Sequence, residues 1–369
     1  MSGVAGQGVS AVKVIVVGAG IIGAVSAFRL AQAGAEVVVI EAGLPGCAAS
    51  GASFGWINAS FHADADHFRL RAEGIAAHHR LATTLKSRAF QWSGCLCWET
   101  AGAEFDAQLA ALATLGYPVR VVDAAQFARL EPQIPPPDRA LHFPDEGVVD
   151  LPVLAAESLR AALALGARLI AGVAVERLVE AKGRISGVQT AQGVIAADRV
   201  VLAAGTGCEV LLAGVEVPLP MLRRPGLILR SRPMPPVMRH VLVNPDGEMR
   251  QLADGCLLVP AAVGHQGDDS EETGAPDEVA RSTATRVAGA IGHPVDWQQV
   301  TLAWRPVPLD GLPVIGACGP QGLYVATMHS GATLAAIAGE LVAMEVMETQ
   351  GNQSQAALVA PYRPQRFTA

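Results

Sequence analysis

Residues 13–41 constrain this chain more than any other stretch. Lys13–Val17 is an almost wholly apolar, β-branched run, the pattern of a strand buried on both faces. Gly18-Ala19-Gly20-Ile21-Ile22-Gly23 follows, then a helical pattern from Ile21 to about Ala33 stopped by Gly34, then a second apolar run, Glu36–Glu41. This strand–helix–strand opening needs a parallel sheet with a right-handed crossover. A lone G-x-G-x-x-G is a weak signal, but this one leaves a buried strand and opens a helix. There Gly18 permits the tight turn, Gly20 lets a pyrophosphate approach the backbone, and Gly23 lets the helix pack closely. The helix N-terminus offers free N–H groups and partial positive charge to phosphates. Glu41 suits the two hydroxyls of a ribose, and its charge disfavours a 2′-phosphate. The motif alone leaves FAD and NAD both open.

The apolar stretch from Val14 to Ile40 is not a membrane span. It is interrupted by Gly18, Gly20, Gly23, Arg29, Gln32, Gly34 and Glu36, and its pattern changes from strand to helix to strand. Residues 1–12 lack the basic region and cleavage site of a secretory peptide. With a net charge of −7 and no basic run beyond Arg223-Arg224, nucleic acid and anionic membranes are not expected partners. The six cysteines form no C-x-x-C pair and no zinc-type cluster, so no metal is expected and the thiols read as reduced, in a cytoplasmic protein.

A chain of 369 residues suits two lobes, and half its residues are apolar with few aromatics, so Ala, Val, Leu and Gly must build the core. A helix is expected over 64–88 with Asp64 or Asp66 as N-cap. A further helix (Leu154–Leu165) and strand (Arg168–Val175) follow, then a hairpin of Arg184–Val188 with Val194–Ala196, and a buried strand Arg199–Ala203. Residues 214–310 read as irregular, with short strands at Leu227–Arg230 and Cys256–Val259. A short strand Leu323–Val325 precedes a small-residue helix from about Ala332 to Met347, and the polar tail after Gln350 reads as frayed. The expected class is α/β (α+β overall). A discontinuous Rossmann-like nucleotide domain comprises 10–85, 146–212 and 311–350. The second domain, 86–145 and 213–310, is built on an antiparallel sheet, and 1–9 and 351–369 are tails.

Two segments favour FAD over NAD. The small residues and hydroxyls of 49–55 (ASGASFG) are suited to line an extended pyrophosphate and ribityl chain, and Val200–Ala203 runs into the glycine turn Ala204-Gly205-Thr206-Gly207. The cofactor-binding set expected from these elements is Gly18, Gly20, Ile22, Gly23, Glu41, Ala42, Ser50, Ser53, Gly55, Val175, Ala204 and Gly205. Trp56, Asn58, His62 and Arg71 follow the Ser/Gly loop and are candidates to face the active site, with no catalytic role assigned.

These elements resemble, in order along nearly the whole chain, the D-amino acid oxidase / glycine oxidase superfamily of flavoenzymes. The more specific part lies in Trp304-Arg305-Pro306, Asp310–Gly316 (DGLPVIG) and His329-Ser330-Gly331-Ala332-Thr333-Leu334. The resemblance implies a two-domain FAD protein that moves hydride from the carbon beside an amine nitrogen to flavin N5. It implies that Arg305 grips a substrate carboxylate, for which a structural ion pair with Asp310 is the competing reading. It also implies that His329 and Ser330, with the backbone of Gly331, Ala332, Thr333 and Leu334, approach the flavin. Ala332 stands where the family often has a second glycine.

The three lysines, Lys13, Lys86 and Lys182, lie outside the segment where sarcosine oxidase-like members carry an oxygen-activating lysine; His265 is the nearest substitute. The acceptor is therefore open between dioxygen, a quinone and a partner subunit. No Cys or His stands in the motif positions that usually carry a flavin link, so FAD is expected to be non-covalent. The expected substrate is a small amine or amino acid: glycine, a D-amino acid, an N-alkyl glycine or a cyclic imino acid. The alternatives are a flavin subunit of a multisubunit dehydrogenase, in a homo- or hetero-oligomer, or a tailoring oxidase for a larger amine.

Overall fold

The computed structural model describes residues 11–263, 271, 274–349 and 353–368. Its opening unit is β1 (Lys13–Val17), α1 (Ile21–Gln32) and β2 (Glu36–Glu41). β1 lies at the middle of a six-stranded sheet, ordered Val314–Ala317, Leu323–Thr327, Arg199–Leu202, β1, β2, Arg168–Ala171. Every pairing is parallel except that of the edge strand Val314–Ala317.

The near-continuous apolar run of β1 has a simple cause. Val14 and Val16 belong to the core shared with α1 and the helix Gly331–Val346. Ile15 and Val17 face the other way, against Leu178, Ile185 and Val188 of a three-stranded meander, Val175–Ala181, Arg184–Thr190 and Gly193–Ala196. Alternate side chains meet different covers, and both covers are apolar. Small residues bring the helices close. A Cβ on Gly339 would lie 2.7 Å from Val25 Cγ1, and one on Gly74 would lie 2.7 Å from the Thr333 carbonyl oxygen.

A second sheet of eight strands is ordered Trp297–Pro308, Met221–Ser231, Leu257–Pro260, Gly247–Gln251, Val241–Asn244, Cys95–Cys97, Arg139–Phe143, Arg120–Asp123. It is antiparallel except where Val241–Asn244 runs beside Cys95–Cys97. One face packs Met249, Leu257 and Val259 on Phe127, Val287 and Ile291. A small antiparallel sheet is formed by Trp56–Ile57, Gly147–Val149 and Phe90–Gln91.

Two expectations need correction. Residues 214–310 are far more regular than expected. Met221–Ser231 and Trp297–Pro308 pair along almost their whole length, and Pro276–Ile291 is a helix. Both strands are mostly half-buried, so they lack a sharp alternation, and Pro225 and Pro306 interrupt them; cross-strand pairing supplies the order. The tail is packed rather than frayed. Val359 and Tyr362 are buried, Arg363 pairs with Glu345, and Arg366 pairs with Asp310. Elsewhere the helix expected over 64–88 spans Ala65–Leu85, with Asp64 capping it by accepting from the His67 amide. Among the described residues, no helix is long and apolar enough to cross a membrane.

Candidate active site

The glycine turn is built by contacts that leave no room for side chains. Gly18 has φ +100°, and a Cβ there would sit 2.4 Å from the Ala203 carbonyl oxygen. A Cβ on Gly23 would sit 2.0 Å from the Gly18 carbonyl oxygen, so α1 rests directly on the turn. Gly20, the N-cap of α1, offers no side-chain cap, and the Ile21 amide donates to Ser50 Oγ at 3.0 Å. Glu41 closes the far side. Its carboxylate accepts from the Ala19 amide at 2.7 Å and the Gly43 amide at 2.8 Å, leaving lone pairs for further donors.

Helix ends around this point are treated unequally. Asp64, Asp123 and Asp150 cap their own helices. α1 and Gly331–Val346, which pack on each other, have no cap from their own N-cap residue and no acidic residue in the first turn, and among the described residues only the first amide of α1 is taken, by Ser50. Both begin on the same cleft, of ≈ 420 Å³, lined by Gly18, Gly20, Ile22, Glu41, Ala42, Ser50, Ser53, Val175, Ala204, Gly205, His329, Gly331 and Ala332. Uncapped N–H groups and two positive helix ends make that cleft receptive to anionic and carbonyl oxygens.

A smaller cavity of ≈ 220 Å³ adjoins it, and Ala49, Ser53, Pro306, His329 and Ala332 line both. Here the second sheet presents its other face, through Gly226, Ile228, Glu248, Ala303 and Arg305. Arg305 stands opposite Arg224 in the long ribbon, and its stem crosses Gly226, where a Cβ would lie 3.3 Å from Arg305 Cδ. The competing partner, Asp310, is instead held by Arg366 at 2.6 and 3.0 Å.

The opposite wall is polar and tightly bonded. Arg71 donates to the Asn58 carbonyl at 3.0 Å, to Asn58 Oδ1 at 2.6 Å and to Ser330 Oγ at 2.9 Å. Burial lowers its pKa to about 10, so it remains a cation at neutral pH. The Trp56 indole N–H donates to Glu146 at 3.0 Å, and the same carboxyl takes the Tyr117 hydroxyl at 2.8 Å and the Ser60 amide at 3.2 Å. Burial pushes Glu146 up to about 7. His78, held down to about 4 by burial, donates its Nε2 proton to the Ala332 carbonyl at 2.8 Å.

Most sequence-expected residues meet here. Gly55, Arg305, Ser330 and Thr333 line the smaller cavity, as do Trp56, Asn58 and Arg71. Gly23 and Leu334 line neither space; Gly23 is packing, and Leu334 is fully buried in the core. His62 lies outside both, bonded to the Ala59 carbonyl. His265 lies outside the described residues. Sequence reasoning missed Glu146 and Glu248. Each stands beside a glycine in an Asp-containing turn (Asp145-Glu146-Gly147, Asp246-Gly247-Glu248), which reads as an ordinary solvated turn. Cys318 is buried in the core that includes Cys208, on the meander side of the sheet. Among the described residues no His/Cys/Asp/Glu group is arranged to hold a metal ion.

A doubly covered parallel sheet, a glycine turn and a cleft walled at one end by a second sheet define a dinucleotide-binding α/β enzyme. A family profile described as DAO, FAD dependent oxidoreductase, matches residues 13–344. Glycine oxidase of Pseudomonas putida is 27% identical over 338 residues, 86% of this chain and 89% of that protein. The bifunctional protein ThiO/ThiG of Trichormus variabilis is 30% identical over 224 residues, 57% of this chain and 32% of that longer protein, so the chain spans about a third of it. Among solved structures, glycine oxidase from Geobacillus kaustophilus superposes with TM-score 0.84 at 25% identity, covering 96% of this chain and 99% of that one. L-proline dehydrogenase from P. horikoshii shares the fold, with TM-score 0.85 at 19% identity over 97% of this chain and 98% of that one. The chain belongs to the DAO family of FAD dependent oxidoreductases, and FAD is its cofactor. The residues present fit that group: a cradle that Cβ atoms would fill, a carboxylate at the nucleoside end, and a cleft that continues into a second cavity.

Proposed function

We propose that this chain oxidises the C–N bond of a small amine or amino acid to an imine, which water then hydrolyses, with Arg305 holding the substrate carboxylate. Glycine, a D-amino acid, an N-alkyl glycine and a cyclic imino acid are the candidate substrates. One observation carries the reading: the cleft that begins at the glycine turn runs, through shared walls, into the cavity bearing Arg305. The curated relatives named glycine oxidase and D-amino acid dehydrogenase support the same chemistry.

FAD supplies the hydride acceptor. The remaining work falls to side chains. The planar Arg305 fork offers a carboxylate two parallel N–H···O bonds and so fixes the carbon that carries the nitrogen. Ile228, Pro260, Ala262 and Ala303 line the same cavity and limit water beside the reacting carbon. The cationic Arg71 and Arg305 favour the unprotonated amine, the form that can give up hydride. Arg71, through Ser330 and Thr333, also fixes the start of the last helix, whose free N–H groups suit the negative charge of a reduced cofactor. We propose that Gly18, Gly20, Ile22, Glu41, Ala42, Ser50, Ser53, Val175, Ala204 and Gly205 hold FAD. It is held without a covalent bond, so denaturation should release FAD and leave no flavin–peptide adduct.

The test is anaerobic. Purified holoprotein is mixed with amino acids and N-methyl amines, and flavin bleaching is followed. Bleaching by at least one carboxylate-bearing amine is expected, and Arg305→Ala should weaken that substrate roughly a hundredfold, about 3 kcal/mol, with FAD content unchanged. Kinetics indifferent to Arg305→Ala refute the assigned role, and a flavin that no amine bleaches refutes the chemistry. Comparing reoxidation by dioxygen with reoxidation by a quinone then identifies the acceptor.

A further inference from the structure

A carboxylate is out of place in a cavity built only to receive another carboxylate. Glu248 lies on the strand Gly247–Gln251 and lines the cavity that Arg305 lines. Its neighbour Met249 points into the core on the other face, so the strand's alternation directs Glu248 towards the cavity. Among the described residues, the charged groups bordering this space are Arg71, Arg305 and Glu248, with the imidazole of His329 beside them. Arg71 gives its hydrogen bonds to Asn58, Ser330 and Thr333 and meets Glu248 only through space, as a charge. Glu248 and Arg305 both engage neighbours within the folded chain as well.

Ligands differ in how they meet Arg305 and Glu248 together. A ligand with only a carboxylate satisfies Arg305 and brings a second negative charge near Glu248. A ligand that also carries a positive or strongly donating nitrogen, away from its carboxylate, compensates both sides of the cavity. Pairing Glu248 with the reacting amine is the poorer use, because a nearby carboxylate favours the protonated amine, which cannot release hydride.

We propose that Glu248 is a specificity subsite for a second, cationic nitrogen, so that the preferred substrate is an amino acid or N-alkyl amino acid with a basic group remote from the carboxylate. This rests on the reading of Arg305 given above. The glycine- and proline-type ligands named for similar proteins have no such group, and the subsite sets this chain's preference apart from theirs.

The experiment uses FAD-loaded protein and ligands without an α-amine: propionate, butyrate and pentanoate against 3-aminopropanoate, 4-aminobutanoate and 5-aminopentanoate. Dissociation constants are read from perturbation of the flavin absorption band, with no turnover needed. At one chain length or more, the amino compound should bind at least tenfold more tightly than its parent. Glu248→Gln should remove that advantage while leaving the parent's affinity equal or improved. Parent acids that bind as tightly as their amino counterparts at every length overturn the subsite and leave the Arg305 reading standing. If no carboxylate perturbs the flavin at all, the Arg305 reading fails, and the subsite with it. The wild-type comparison stands alone should Glu248→Gln fold poorly.

Discussion

Arg71 donates to the hydroxyl of Ser330 across 2.9 Å, joining the helix Ala65–Leu85 to the first residue before the helix Gly331–Val346, 259 positions later. This contact occupies the side chain that would otherwise cap the last helix. The N-terminal amides of that helix are left for whatever the cleft holds, and a buried cation is set beside them. A positive charge at the positive end of a helix is unfavourable unless something negative shares the site. An electron-rich cofactor answers that requirement.

Arg71→Ala should therefore cost more than a surface arginine. It leaves Asn58 Oδ1 without its donor and the Asn58 carbonyl with only the longer Thr333 hydroxyl contact, in a buried setting, worth about 3 kcal/mol. Thermal unfolding of the holoprotein should show a clear fall in Tm, and FAD retention through gel filtration should drop. Arg71→Lys restores the charge without the fork and should recover only part of either.

The glycines of the turn should rank by what their Cβ would meet. Gly23→Ala drives a methyl into the Gly18 carbonyl oxygen, 2.0 Å away, and should cost about 3 kcal/mol or prevent folding. Gly20→Ala meets only Ser50 Oγ at 3.3 Å, so the chain should fold and bind FAD roughly tenfold more weakly. Circular dichroism and flavin fluorescence titration separate the two outcomes.

Glu41→Gln keeps size and removes charge. One of the two backbone amides now bonded to the carboxylate must face an NH₂ group, and the proposed ribose contact loses its charge. FAD affinity should fall roughly tenfold, about 1.4 kcal/mol, and the Tm of the apoprotein should fall as well, because the lost amide contact belongs to the chain itself.

Stability should respond to pH through Glu146. Burial raises its pKa from 4.5 to about 7, so the folded chain binds this proton more tightly than the unfolded chain. The stability it confers is complete below the unfolded value and is lost as pH rises through about 7, a change of about 3 kcal/mol. His67 and His78 act in the opposite sense. Burial holds both near 4 against 6.5, so their contribution is present above the ordinary histidine range and is lost as pH falls through about 4. Glu146→Gln isolates the first effect. The Tm difference, wild type minus variant, should decline as pH rises from about 5 to about 7, and a difference independent of pH would contradict it.

Some of what the sequence did not yield was written in it. Val279, Thr283, Val287 and Ile291 recur every fourth residue between Pro276 and Gly292, a legible helix with a proline near its start and a left-handed glycine at its end. Arg71 and Asn58 were legible as neighbours of the cofactor loop, but not their mutual bonds.

The sequence by itself determined the nucleotide half. The β1–α1–β2 unit is specified by residues near one another along the chain: an apolar strand, a glycine turn, a helix stop and a terminal carboxylate. Short-range sterics and burial of both faces leave it one arrangement. The adjoining cavity, proposed for substrate, was decided only by tertiary structure. Glu248, Arg305 and Arg71 come from separate strands and a helix, and their chemistry depends on burial, dielectric and mutual distance. Those quantities exist only once the second sheet packs over the end of the cleft, because no local pattern records which charge a side chain will face across a cavity.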